Sequence, residues 1–177
     1  MTDRRLLLVF AHPDDETVFA AGVCSKYTDA GVRVGLCTAT VGDRGRVGEP
    51  PVCQPAEVGR VRQGELAEAA RIMGVSMLRV FGYPDRGVAS ATTDLVRAQL
   101  VEAIRTLRPQ VVVTFDPNGS NLHPDHVAIS RFTADAVVAA ADPRWLPDLG
   151  PVHQVSRLVW TPPLRPWVIL REGDPAL

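Results

Sequence analysis

Leu6-Leu7-Leu8-Val9-Phe10-Ala11-His12-Pro13-Asp14-Asp15-Glu16 joins an unbroken apolar run to a histidine and three carboxylates. An apolar run this short and without alternation reads as a strand buried on both faces, the kind found in parallel sheets. Such a strand delivers the residues after it to the carboxyl edge of the sheet, where open α/β folds keep their ligands. The arrangement returns downstream. Val111-Val112-Val113-Thr114-Phe115 is followed by Asp116-Pro117-Asn118-Gly119 and then by His123-Pro124-Asp125-His126. Two His-Pro-Asp triplets, each placed after a strand, offer nitrogen and oxygen donors suited to a divalent metal, with carboxylates left for proton transfer.

The intervening chain alternates between helix and strand patterns. A first helix is predicted over Glu16 to Ala30, stopped by Gly31 before a strand over Arg33 to Ala39. No G-x-G-x-x-G separates the first strand from this helix, which argues against a dinucleotide site. Leu66, Ala69, Ala70 and Met73 share one face of a helix over Val58 to Met73, and Ser76 to Phe81 reads as a third strand. Val96, Leu100, Ala103, Ile104 and Leu107 mark an amphipathic helix over Thr92 to Leu107; a further helix over His126 to Ala141 and a fifth strand over Arg157 to Thr161 complete the pattern. This alternation predicts a three-layer, Rossmann-like α/β fold with a mostly parallel sheet. Right-handed crossovers allow the strand order 3-2-1-4-5, which makes strands 1 and 4 neighbours and puts both histidine motifs at the crevice between them.

Composition narrows the function. At 177 residues, 46% hydrophobic and 22% charged, the chain reads as one globular domain over residues 1–177. A net charge of -1, from 19 basic and 20 acidic residues, lacks the basic excess of a nucleic-acid binder. No stretch approaches the roughly 18 apolar residues of a membrane span, and the first run is shorter than the roughly 7–15 of a signal peptide core, so the expectation is a cytoplasmic protein without a membrane partner. Cys24, Cys37 and Cys53 are odd in number and show no C-x-x-C spacing, so neither a disulfide framework nor a thiolate zinc site is indicated. They read as buried thiols, with Cys53 in its Pro-rich loop the exception. That loop, between Gly42 and Gly59, is either a solvated connector or a substrate lid carrying Arg44 and Arg46.

His12, Asp15 one helical turn on, and His126 make three protein ligands with an open position, the catalytic zinc pattern, which acidifies water. Asp14 is the carboxylate left over, placed to accept a proton and return it to a leaving amine. Pro124 suits the first turn of a helix, so His123 projects into the same crevice as an oxyanion donor, with Asp125 a candidate to orient a histidine. Two histidines and one carboxylate also form the facial triad of non-haem iron oxygenases, which is a second reading of the same residues.

The segment Ala11-His12-Pro13-Asp14-Asp15-Glu16, followed far downstream by His123-Pro124-Asp125-His126, resembles the PIG-L/LmbE-like family of metal-dependent N-deacetylases, which includes the mycothiol-pathway deacetylase and amidase. Arg62-Gln63-Gly64-Glu65-Leu66 and Gly82-Tyr83-Pro84-Asp85 fit the same pattern, so the resemblance covers at least residues 5–130. It implies a zinc-dependent hydrolase, with ferrous iron the alternative metal, that removes an acyl group, typically acetyl, from a small-molecule N-acylated amino sugar or conjugate. It agrees with the roles given above and implies substrate contacts at Arg62 and Asp85. Read as residues alone, Arg62 is equally an i,i+3 ion pair with Glu65, and Asp85 a turn cap. Asn121 stands among the substrate contacts where the mycothiol enzyme has a tyrosine, a departure that removes a phenol from the oxyanion site and weakens that particular substrate assignment. The chain also ends sooner than its longer relatives, so it is expected to lack their C-terminal extension. A homo-oligomer is compatible with the sequence, and a non-catalytic sugar-binding relative is the remaining alternative.

Overall fold

A computed structural model of the protein describes residues 3–162. Among the described residues, five strands and five helices follow in the order β1 (Arg5–Phe10), α1 (Asp15–Asp29), β2 (Arg33–Thr40), α2 (Val58–Ile72), β3 (Met77–Tyr83), α3 (Thr93–Leu107), β4 (Val111–Phe115), α4 (Gly119–Leu122), α5 (Pro124–Ala141) and β5 (Arg157–Thr161). Short 3-10 turns lie at Pro55–Glu57, Val88–Ser90 and Pro147–Leu149.

The strands form one parallel sheet in the order β3-β2-β1-β4-β5, as the alternation predicted. Its centre is apolar on both faces: Leu7, Leu8, Val9, Phe10, Leu36 and Phe115 are fully buried. Burial on both faces is why these strands read as continuous apolar runs. The chain steps from β1 outward to β3, then crosses back to β4 and β5. Right-handed crossovers therefore put α1 and α2 on one face and α3 with α5, which pack together, on the other. Leu6 pairs with Val111 and Leu8 with Val113, so β1 and β4 are adjacent and their carboxyl ends open onto one crevice.

Three local features differ from the sequence reading. β3 runs on to Tyr83, two residues past the expected end. α5 starts at Pro124 rather than His126, because His123 caps it: its Nδ1 accepts the Asp125 N–H. The four-residue α4 has no periodic signature. Ser120 within it takes φ 61°, and the Asp116 carboxylate holds the turn by accepting the N–H groups of Asn118 and Ser120. The Gly42–Gly59 stretch holds the Pro55–Glu57 turn and, at its end, the first residues of α2. Among the described residues, no helix is long and apolar enough to cross a membrane.

Candidate active site

His12 and Asp15 sit where β1 gives way to α1, and His126 lies in the first turn of α5 beside β4. The backbone folds tightly here. Asp14 takes φ 107°, in the left-handed region that non-glycine residues avoid, and its carbonyl accepts the N–H groups of Thr17 and Val18 that open α1. That kink turns Asp15 back, so that its Oδ2 accepts the His12 backbone N–H at 2.7 Å. Behind Asp14 the buried Glu16 carboxylate accepts the Asp14 N–H and the Thr17 hydroxyl.

Three donor groups then meet. His12 Nδ1 is 3.1 Å from His126 Nε2 and 3.5 Å from Asp15 Oδ2, and Asp15 Oδ1 is 3.4 Å from His126 Nε2. Donors about 2.0–2.2 Å from a tetrahedral ion lie about 3.3–3.6 Å from one another, so the spacing fits. All three residues are buried. The tautomers fit as well. His126 Nδ1 lies 3.1 Å from the Gly119 carbonyl oxygen and donates to it, which leaves the Nε2 lone pair facing the cluster. His12 Nε2 lies 3.2 Å from Asp125 Oδ2 and 3.4 Å from Asp85 Oδ1, so it holds the proton and Nδ1 presents its lone pair. Two nitrogen lone pairs facing at this range repel unless a cation lies between them. In the metal-free protein a proton serves. Burial opposes charge on His12, but its contacts with Asp125 and Asp15 outweigh that and raise it from 6.5 to about 9. His126 moves the other way, lowered by burial and by the His12 charge. The donor chemistry and spacing together suit a divalent metal.

The supporting residues explain why the cluster is rigid. Gly119 has φ +66°, and a Cβ there would come within 2.6 Å of His126 Cβ and 2.7 Å of the Val127 nitrogen, so only glycine lets its carbonyl reach His126. Phe115 stacks on the His126 ring with centroids 4.0 Å apart and planes 5° from parallel. Asp125 is fully buried and accepts from the backbone N–H groups of Arg86 and Val88 as well as from His12. Burial alone would raise its carboxyl, and these hydrogen bonds lower it instead.

Asp14, Arg62, Asp85 and His123 line the same cavity as His12, Asp15 and His126, a space of about 240 Å³. The Arg62–Glu65 ion pair, the alternative reading of Arg62, is not formed. Arg62 reaches across to Asp14 Oδ2 at 2.6 Å and to the Pro13 carbonyl. Its guanidinium packs so close to Gly42 and Gly45 that a Cβ on either would fall within 3 Å of it. The Asp14 carboxyl is held above its ordinary value by lost hydration and by the Asp15 charge, with Arg62 and His12 pulling against them. His123 is lowered by burial and by the His12 charge; because its Nδ1 accepts the Asp125 N–H, its neutral form carries the proton on Nε2. Asp85 faces His12, while its backbone N–H donates to Asp43. Asn121 lies apart from the cavity lining: it is exposed, and its Oδ1 accepts the His123 N–H at 3.0 Å, closing the turn before α5. Sequence reasoning missed Phe115, Gly119, Arg86 and Val88. Only Gly119, in its Asn-Gly turn, left a local trace.

Comparison with known proteins agrees with this fold. The family model described as PIG-L: GlcNAc-PI de-N-acetylase matches residues 7–137. The 1D-myo-inositol 2-acetamido-2-deoxy-alpha-D-glucopyranoside deacetylase of Geodermatophilus obscurus is 39% identical over 98% of this chain, which spans 66% of that relative's length. A conserved protein of Thermus thermophilus superposes with a TM-score of 0.72 at 33% identity, covering 92% of this chain and 67% of the other. The N,N'-diacetylchitobiose deacetylase of Pyrococcus horikoshii shares the fold, with a TM-score of 0.79 at 24% identity over 92% of this chain and 61% of its own. The matched span holds both histidine motifs and the β1–β4 crevice between them: the chain belongs to the PIG-L, or GlcNAc-PI de-N-acetylase, family.

Proposed function

We propose that the protein is a metal-dependent N-deacylase that hydrolyses the amide of an N-acylated amino sugar or a conjugate of one. The observation that carries the reading is the three-donor cluster of His12, Asp15 and His126 with the Asp14 carboxylate beside it. The Geodermatophilus relative, named for an acetamido sugar joined to inositol, supports the substrate class.

His12, Asp15 and His126 would hold zinc, with ferrous iron the alternative. Bound there, the ion supplies a Lewis acid that polarises the scissile carbonyl and acidifies water. Asp14 takes the proton of the attacking water and later delivers it to the departing nitrogen, a reuse that a carboxyl held above its ordinary value favours. His123 donates its Nε2–H to the oxygen that gains negative charge as the acyl carbon becomes tetrahedral, and it does so as a neutral ring. Asp125 is a positioning residue that fixes the ring of His12. Arg62 orients Asp14 and, with Asp85, offers polar contacts to sugar hydroxyls. Asn121 acts through the turn that sets His123.

The test is amine release from N-acetylglucosamine and its inositol conjugate by protein loaded with zinc, or with ferrous iron under anaerobic conditions. Loss on chelation and recovery on adding metal back support the reading. The same donor set serves non-haem iron oxygenases, so turnover that demands oxygen and a reductant would replace hydrolysis with that chemistry. Tight sugar binding with no amine released under any metal would leave a sugar-binding relative.

A further inference from the structure

Asp14 and Arg62 also line a second hollow, of about 200 Å³, between α1 and α2. Its other lining residues are Pro13, Val18, Leu66 and Ala69, which make its surface mostly apolar, together with the polar Glu16, Thr17 and Glu65. Leu66 is buried beneath it, and Val18 stands 60% exposed, a large apolar side chain with little cover. Arg62 and Asp14, joined as an ion pair, line both spaces, so the hollow lies beside the proposed proton acceptor.

Two substituents leave an amide carbonyl carbon, the nitrogen with its sugar and the acyl tail. The sugar needs polar partners, which Asp85, His123 and Arg62 offer in the first cavity. The tail is apolar and matches the second. Resting on the deacylase reading, we infer that the hollow between α1 and α2 takes the acyl tail of the substrate, and that the protein removes acyl groups longer than acetyl. At roughly 30 Å³ for each water-sized group, the space admits about six. A hexanoyl to octanoyl tail fills it. An acetyl methyl leaves it empty and gains nothing from Val18, Leu66 or Ala69.

Each methylene buried there improves kcat/KM by about two- to fourfold, the upper value applying to complete burial. The gain stops when the hollow is full. The test is amine release by metal-loaded protein from N-acetyl-, N-butyryl-, N-hexanoyl- and N-decanoylglucosamine. Hexanoyl is expected to exceed acetyl by at least about tenfold, with no further gain at decanoyl. Ala69→Phe fills the hollow and should lower the hexanoyl-to-acetyl ratio at least about tenfold. Because bulk on α2 can disturb its packing, Val18→Asp at the exposed mouth is the second probe and should move the ratio the same way. Hexanoyl hydrolysed no faster than acetyl, or a ratio unmoved in both variants, overturns the acyl groove and leaves the deacylase reading standing. No amine from any of the four sugars overturns the deacylase reading, and the groove with it.

Discussion

Arg62 on α2 donates to the Asp14 carboxylate at 2.6 Å, pinning the one residue of the β1–α1 turn whose backbone lies at φ 107°. The same guanidinium reaches the Pro13 carbonyl, so it holds both the side chain and the preceding peptide of the proposed proton acceptor. Arg62→Ala should therefore lower kcat by about 10²-fold, the penalty for a misplaced catalytic group, while metal content stays at wild-type level. Arg62→Lys should recover only part, since an ammonium cannot span two acceptors as a planar fork does. Full turnover in Arg62→Ala would remove Arg62 from any positioning role.

The ligand set separates by metal analysis. His12→Ala, Asp15→Ala and His126→Ala should each lose most bound metal, whereas His123→Ala and Asp14→Asn should keep it. Asp14→Asn should lose turnover by at least about 10²-fold, in kcat rather than KM. Metal lost from the His123 variant, or retained in the His126 variant, would reassign the ligands.

Metal binding should be coupled to pH through His12. In the metal-free protein this ring is held to about 9 against 6.5 in the unfolded chain, so its protonated contacts with Asp125 and Asp15 stabilise the fold below 6.5 and are lost as pH rises through about 9. The metal competes with that proton. Apparent metal affinity should climb by about tenfold per pH unit between those values and level off above, and the Tm of chelator-treated protein should fall over the same range. Calorimetric titration at several pH values measures both the affinity and the proton released. An affinity flat from pH 6.5 to 9 would contradict the paired His12 described here.

Arg105 offers a test far from the site. It is buried on α3 with no carboxylate partner among the described residues, and its guanidinium donates to the carbonyls of Ala139, Ala140, Asp142, Trp145 and Leu146 where α5 ends. Ala139 and Ala140 belong to the last turn of α5, and Asp142, Trp145 and Leu146 to the segment after it, so one guanidinium ties that segment to the helix end. Arg105→Met should destabilise by about 2–4 kcal/mol in urea unfolding, because it strips a charged donor from several buried acceptors. Turnover per folded molecule should not change.

Much of this was legible in the sequence because parallel strands and their end loops are written locally. Leu6–Phe10 and Val111–Phe115 announce themselves as buried strands, and His12, Asp14, Asp15, His123 and His126 come directly after them. Contacts between distant segments were not legible. Arg62 looked like half of a helix-surface pair with Glu65, and its true partner is 48 residues away. Arg105 sits in a helical pattern like any surface arginine, yet it is 3% exposed. Asp125 was recognisable as a histidine's partner, but not as the meeting point of His12 with the loop after β3, a link that depends on β3 ending at the same sheet edge as β1.

The pairing of Leu6 with Val111 and Leu8 with Val113 acts as a gauge for the metal centre. His12 hangs from one strand and His126 from the segment after the other, so their separation is measured along the β1–β4 ladder. A slip of a single residue would slide one motif past the other by about 3.3 Å and turn alternate side chains to the opposite face. A coordinating cluster tolerates only about 0.2 Å. The register of these paired strands is thus a condition on which ion the protein can hold, imposed by residues that never touch it.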